Sequence, residues 1–463
     1  MPERRGSGSG EREAREPRGT AAGAAPVAGP GDRGRHGGLE LMVLGTGLVF
    51  TLTLMGRLES WSLGLGRFQA LYAAAFACFA LAMLRLRSAS PARAAWLVFA
   101  VAAAARLALL PAPPSLSDDV YRYVWEGKVV AAGLDPYHLS PRDPALAALR
   151  DASLYPRINH PELATLYPPL ALAGFALVAR LSPTVTAIKL WVILHDLALV
   201  LLLLAWARSR GLSPLGVIAY AWNPLVLVEY AGSGHSDPTA LVWLIAALMW
   251  AGRRPVAAAL ALTVGVLVKL APLVALPALL RGWPWRARLV ALAATGLGLG
   301  GFVALTRGAD SGLTAYARTW ANNELAFHYL SRLVPDPLAA RGWALALLVL
   351  AVVVAAWGRP DAARATRVGM RLGFVLTPVA HPWYLGWAMA LEPLAPSAPW
   401  LLLSFTAILS YGCAAGAGLR PRLGVPPAGG GRNAGLVSRP RSTLTTKAAA
   451  EPGGQGATTK SYQ

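Results

Sequence analysis

Two adjacent carboxylates, Asp118 and Asp119, follow an apolar stretch directly, in the run Ser117-Asp118-Asp119-Val120-Tyr121-Arg122-Tyr123. Ionised acids at the mouth of a hydrophobic bundle are costly to place there unless they have a use. The chemistry they offer is general base catalysis, a carboxylate taking the proton of a hydroxyl beside a lipid-borne substrate. Ordinary helix-start chemistry accounts for the same residues, since Ser117 is a good N-cap and acids suit a first turn. Arg122 and Glu126 lie four and eight residues beyond Asp118, which predicts a polar stripe along one helix face. Val120, Tyr121, Val124 and Trp125 are then expected to lie against the membrane surface. Gly133 closes that helix, and Asp135-Pro136-Tyr137 reads as a turn.

Further candidates come later in the chain. Trp222-Asn223-Pro224, Glu229 and Gly234-His235-Ser236-Asp237-Pro238 interrupt an apolar pattern, and broken backbone at membrane depth belongs beside protein or a water-filled cavity. His235 and Asp237 could form a proton-relay pair, or serve only as polar loop residues. Lys269 sits in an otherwise uncharged apolar run, Val264–Ala275, and either snorkels or meets an anion such as phosphate. Lys189, nearer the start of its span, has the stronger case for snorkelling. His381-Pro382-Trp383-Tyr384, with Trp387 one turn on, could line a sugar-sized pocket or form an interfacial aromatic belt. Tyr316, Trp320, Asn322, Asn323 and His328 add polar and aromatic candidates whose spacing specifies nothing. The chain has no Walker loop, dinucleotide fingerprint, zinc-protease signature or clustered His/Cys ligands. No cofactor is required; a divalent cation on Asp118 and Asp119 is allowed, though two acids are few ligands for one.

The elements that must carry these residues are membrane helices. Of 463 residues, 55% are hydrophobic and 14% charged, against about 25% charged in soluble domains. Mean hydropathy is +0.46. Apolar stretches recur at 39–56, 68–85, 94–112, 166–181, 184–207, 212–231, 238–252, 255–280, 287–306, 341–358, 371–391 and 397–416. The fold class is therefore all-α, a polytopic bundle of about 12 spans, because a helix satisfies its own backbone in lipid. Residues 1–38 and 417–463 read as disordered basic tails, and 39–416 as one membrane domain. Arginines at 85, 87 and 93 and at 359, 364, 367 and 371 mark cytoplasmic loops and place loops 113–165 and 307–340 outside. Strict alternation then puts Arg208, Arg210, Arg253 and Arg254 outside, against the charge rule. A re-entrant 166–181, or a break within 255–280, reverses those signs. The net charge of +20 sits largely in tails and short loops, where it suits anionic membrane lipid. Neither tail interleaves its basic residues with exposed aromatics, so no nucleic-acid partner is expected. Cys78 and Cys413 fall in apolar spans and read as core residues.

The motifs Ser-Asp118-Asp119-x-Tyr-Arg-Tyr-x-Trp-x-Gly, Tyr167-Pro168-Pro169-Leu170, Trp222-Asn223-Pro224, Gly234-His235-x-Asp237, Lys269-Leu-x-Pro272 and His381-Pro382-Trp383-Tyr384 stand in this order. Together they resemble the GT-C membrane glycosyltransferases, above all the bacterial polyprenyl-phosphate-mannose-dependent mannosyltransferases, including glycosyltransferase family 87. The likeness covers roughly residues 95–415. It implies inverting transfer of a sugar, mannose foremost, from a polyprenyl-phosphate donor to a lipid or glycan hydroxyl. The place implied is the outer face of a bacterial cytoplasmic membrane. It further implies Asp118 or Asp119 as base, and Tyr121, Arg122, His235, Asp237, Lys269, His381, Trp383 and Tyr384 as donor- or substrate-binding residues. Two spans before the one leading into the acidic loop depart from the family pattern, as does the Arg/Gly/Thr-rich end. A transporter or lipid-linked-sugar flippase is the competing reading, with the buried ionisable residues as ion or headgroup sites. It requires an inverted internal repeat, and the acidic loop has no counterpart in the second half.

Overall fold

The computed structural model describes residues 30–85, 91–307, 311–359 and 361–412. The tails expected to be disordered, and Cys413, thus lie outside the described residues except for 30–38, which already belong to the first helix. Among the described residues the fold is helical, with no strand and one isolated parallel bridge between Asn322 and Val379. Among the described residues, five helices are long and apolar enough to cross a membrane: Gly38–Gly56, Leu65–Leu84, Val185–Ser209, Trp285–Leu305 and Pro337–Gly358.

Helix α1 (Pro30–Gly56) packs between α2 (Leu65–Leu84), which turns back along it, and α3 (Pro91–Leu109), which runs parallel to it and leads into α4 (Asp119–Ala131). Helix α5 (Pro169–Leu181) lies along α4, with Gly127 letting the two backbones approach: a Cβ there would strike the Phe175 carbonyl. Helix α6 (Val185–Ser209) then runs antiparallel to α3. Lys189 near its start donates to the carbonyls of Leu109, Leu110 and Ala112 at 3.0, 2.8 and 2.7 Å. Lys189 is therefore buried as a cap on α3 and does not snorkel.

These contacts settle the disputed middle of the chain in terms of bundle ends. Helix α5 starts and finishes at the end that carries Asp118, because it joins α6 at the end that carries Lys189. Its 13 residues lie along α4, so the segment expected to cross at 166–181 returns the chain to the bundle end from which it started. Every later segment is consequently reversed relative to strict alternation. Arg210 at the far end of α6 meets Asp361, with Nη1 to Oδ2 at 2.6 Å, which puts the arginine clusters together at the opposite end.

The apolar run 212–231 is not one helix. It advances as a 3-10 turn, α7 (Ile218–Ala221), α8 (Pro224–Val226) and a π-turn over Leu227–Gly232. Pro224 and Pro238 deny amides to a continuous ladder, and Gly234 at φ +84° reverses the chain before α9 (Pro238–Trp250). Helix α10 (Pro255–Val268) returns to the Asp118 end and stops at Lys269, and after a 3-10 turn α11 (Leu276–Gly282) retreats again. Helix α12 (Trp285–Leu305) recrosses, α13 (Gly312–Thr319) and α14 (Ala326–Leu333) form an outer layer, and α15 (Pro337–Gly358) descends. Helix α16 (Ala362–Leu376) rises to the His381 turn, followed by α17 (Leu385–Met389) and α18 (Ala398–Thr406).

The core also holds an ion pair that hydropathy did not single out. Arg106 of α3 donates through Nε to Asp196 Oδ2 at 2.8 Å and through Nη1 to the Ala102 and Ala221 carbonyls. Tyr220 donates to the other Asp196 oxygen at 2.7 Å. This pairing ties α3, α6 and the broken segment into one frame.

Candidate active site

Helix α4 begins with Asp118 in the N-cap position and Asp119 as its first residue, one residue later than a Ser117 cap implies. Ser117 Oγ accepts from the Asp119 amide at 3.3 Å. Both carboxylates are gripped by one amide, because Asn159 Nδ2 donates to Asp118 Oδ1 and to Asp119 Oδ1, each at 2.9 Å. Burial, with the neighbouring Asp119 charge adding to it, pushes the Asp118 carboxyl up to about 6. Asp119 keeps about a quarter of its side chain open, at 26% exposure.

Asn159 sits where it does because of Arg122. Its guanidinium pairs with Glu126 at 2.6 Å and donates to the carbonyls of Asn159 at 3.1 Å, His160 at 2.9 Å and Leu163 at 2.5 Å. Arg122 and Glu126 are buried, so the expected surface stripe is instead an internal clamp on the loop. Val120, Tyr121, Val124 and Trp125 are likewise buried, the helix being enclosed by α5, α6 and the loop rather than laid on a membrane surface. Arg157 covers the Tyr121 ring at 5.6 Å.

Opposite the acids, His235 comes within 3.9 Å of Asp119 Oδ2 through Nε2. Its ring stacks on Trp383 at 3.8 Å and 15°, and Trp383 stacks on His381 at 4.1 Å and 6°. His235 and Asp237 do not pair with each other. The left-handed Gly234 turns His235 toward Glu229 and Asp119, while Asp237 serves a second cluster. There Lys269 Nζ meets Asp237 Oδ1 at 2.6 Å, and the same oxygen accepts from Trp387 Nε1 at 2.5 Å. The Lys269 ammonium also lies 5.1 Å from the Tyr384 ring and 5.5 Å from that of Trp387. Lys269 stands at the C-terminal break of α10, not in mid-helix.

The 311–334 layer closes the site from outside. Tyr316 and Tyr384 share a hydroxyl contact of 2.9 Å, Trp320 lies 4.8 Å from the His160 ring, and Asn322 Nδ2 is 2.9 Å from His381 Nδ1. Asn322 also bonds through its backbone to Pro378 and Ala380, which fixes the His381 turn. Asn323 and His328 do not join the cluster; His328 faces Glu324 at 3.7 Å.

The structure thus gathers Asp118, Asp119, His235, Asp237, Lys269, His381, Trp383 and Tyr384 at one end of the bundle. It assigns Tyr121 and Arg122 to the wall behind them. Asn159 escaped sequence reading, since one asparagine in a long loop carries no periodic signal. Among the described residues, no group of three or more acidic, His or Cys side chains is arranged to hold a metal. A cavity of roughly 600 Å³ lined by Trp206, Arg210, Met249, Arg253 and Asp361 lies at the opposite, arginine-bearing end and has no part in this constellation.

A helical membrane bundle with paired acids at one end defines a class, and comparison with known proteins narrows it. Residues 41–285 match the family model described as alpha-(1->6)-mannopyranosyltransferase, N-terminal domain, and the chain belongs to that family. The matched segment contains Asp118, Asp119, Asn159, Glu229, His235, Asp237 and Lys269 but ends before His381. The chain is also similar to alpha-(1->6)-mannopyranosyltransferase A of Mycobacterium tuberculosis, at 28% identity over 349 residues. That similarity covers 63% of this chain and 63% of the relative, so the match spans under two thirds of the relative's length. No solved structure matches the chain.

Proposed function

We propose that the chain is a membrane mannosyltransferase. In this reading it moves mannose from a polyprenyl-phosphate donor to a hydroxyl of a lipid or glycan acceptor, at the outer face of a bacterial cytoplasmic membrane. Family membership and the relative's name support the sugar. The broken helices that meet at the Asp118 end support a site where a lipid-borne donor can enter from the bilayer.

The observation that carries the reading is the asymmetry of the acids. Asn159 holds both, desolvation and the neighbouring charge push the Asp118 carboxyl up, and Asp119, about a quarter open, is the acid that faces His235. Asp119 is accordingly the base: it takes the acceptor proton as the hydroxyl oxygen attacks the anomeric carbon. One displacement at that carbon inverts its configuration. The polyprenyl phosphate leaves with the bonding electron pair and needs mainly electrostatic support. Lys269 supplies a cation for it, and Tyr384 and Trp387 offer aromatic faces to a sugar ring. No resident cofactor is needed for these steps.

The test is transfer of radiolabelled mannose from polyprenyl-phosphate-mannose in proteoliposomes. Asp119→Asn should lower kcat by about 100-fold or more, and Asp118→Asn by distinctly less. Wild-type rates in Asp119→Asn remove the assignment. Donor movement across the bilayer without transfer to any acceptor favours a flippase.

A further inference from the structure

Behind Asp119 lies a pair of buried groups that the reaction above leaves unused. His235 is 1% exposed and Glu229 is fully buried. His235 Nδ1 is 3.1 Å from the Glu229 carbonyl and 3.3 Å from its Oε2 carboxylate oxygen. Both neighbours are acceptors, so Nδ1 carries the hydrogen and Nε2 presents its lone pair toward Asp119. Tyr411 donates to Glu229 Oε1 at 3.0 Å, while Glu229 Oε2 and His235 Nε2 have no hydrogen-bond partner among the described residues. The π-turn produces this arrangement: its wide pitch carries Glu229 beneath the His235 ring, and the His235 amide bonds back to the Glu229 carbonyl.

We propose that Glu229 and His235 form a proton relay that clears Asp119 after each transfer. This rests on Asp119 being the base of the proposed mannosyltransferase. A buried carboxylate beside a neutral imidazole is poorly compensated. The same carboxylate beside an imidazolium is well paired, so the site is poised to receive one proton.

Other titratable groups around the ring do not supply that charge. Asp119 faces it from the start of α4 and Glu229 from its own segment, while Asp118 turns to Asn159 and Asp237 to Lys269 and Trp387. Lys189 borders Gly234 through its aliphatic chain and turns its ammonium onto the α3 carbonyls. The Lys269 ammonium is held by Asp237, and His381 stands on the far side of Trp383. Tyr411 and Tyr72 approach Glu229, and Tyr123 approaches Asp119. The Trp383 face against His235 favours the imidazolium further.

In sequence, the acceptor proton passes to Asp119 Oδ2 while the new C–O bond forms and the anomeric C–O bond to phosphate breaks. Asp119 then gives the proton to His235 Nε2 across the 3.9 Å gap, and once products leave, water entering past the open Asp119 carboxylate takes it from the imidazolium. No oxidant or further reactant is consumed.

In proteoliposomes with polyprenyl-phosphate-mannose, Glu229→Gln should lower kcat by about 10-fold at neutral pH. The donor KM should hold within about 2-fold. Glu229→Asp, which keeps the charge, should restore most of the lost turnover, and His235→Gln should lose at least as much as Glu229→Gln. A wild-type kcat in Glu229→Gln or in His235→Gln overturns the relay, as does a loss confined to KM. An inactive Asp119→Asn alongside wild-type behaviour of both relay variants removes the relay alone. An active Asp119→Asn removes the base assignment beneath it.

Discussion

Asp118 and Asp119 are neighbours in sequence with different physical surroundings, and the difference has a consequence for stability as well as for chemistry. Asp118 keeps its proton up to about pH 6 in the folded protein because it is half-buried and Asp119 repels its charge. A free aspartate loses its proton near pH 3.9. The folded state therefore binds more protons than the unfolded state across that window, and stability falls as pH rises through it. Above about pH 6 the penalty is complete, on the order of 3 kcal/mol. Asp118→Asn removes it. The variant should melt above wild type at neutral pH in detergent, with the gap closing as pH is lowered toward about 4. Equal melting temperatures at neutral pH would show that Asp118 is already well compensated. The acid pair was legible in the sequence as a chemical oddity. Which acid meets His235 was not, because that contact joins residues 116 positions apart across the broken segment.

At the scale of elements, the site depends on how α4 is enclosed. An Arg and a Glu one turn apart read as surface decoration, since exposed pairs of this kind are common and weak. Here they are buried, and the guanidinium spends its donors on three loop carbonyls, which orient Asn159 toward both acids. Lysine cannot reproduce that fork. Arg122→Lys should free the 159–163 segment and lower kcat by about 10-fold with the donor KM little changed. It should also speed proteolysis in loop 113–165. Unchanged turnover together with wild-type protease resistance would mean that the loop is held by other contacts. The helices themselves were largely readable from apolar run length. Breaks at Asn223-Pro224 and Gly234 were visible as punctuation, while the helix end at Lys269, the π-turn and the pairing of Glu229 with His235 were not. His235 and Asp237, two apart in sequence, face different partners because Gly234 turns the backbone just before them.

At the scale of the molecule, one short helix sets the orientation of everything after it. The apolar segment ending at Leu181 is hydrophobic enough to be taken for a span, and hydropathy cannot separate a crossing helix from one packed against a neighbour. Its 13 residues lie alongside α4 and return the chain to the Asp118 end, where Lys189 caps α3. With that one segment removed from the crossings, Arg208, Arg210, Arg253 and Arg254 join Arg359, Arg364, Arg367 and Arg371 at one end, as the charge rule requires. His235, Asp237 and Lys269 fall at the other end with the acids. This arrangement is open to direct labelling. On a background with Cys78 and Cys413 replaced by alanine, single cysteines are placed at Glu162, Pro183 and Arg253, which are all exposed. An impermeant maleimide added to intact cells should modify the Glu162→Cys and Pro183→Cys proteins alike, and reach Arg253→Cys only after the membrane is opened. Pro183 is the decisive position, because it joins α5 to α6. If it labels with Arg253, α5 crosses the bilayer, the alternation is restored, and Asp119 and His235 can no longer face one compartment.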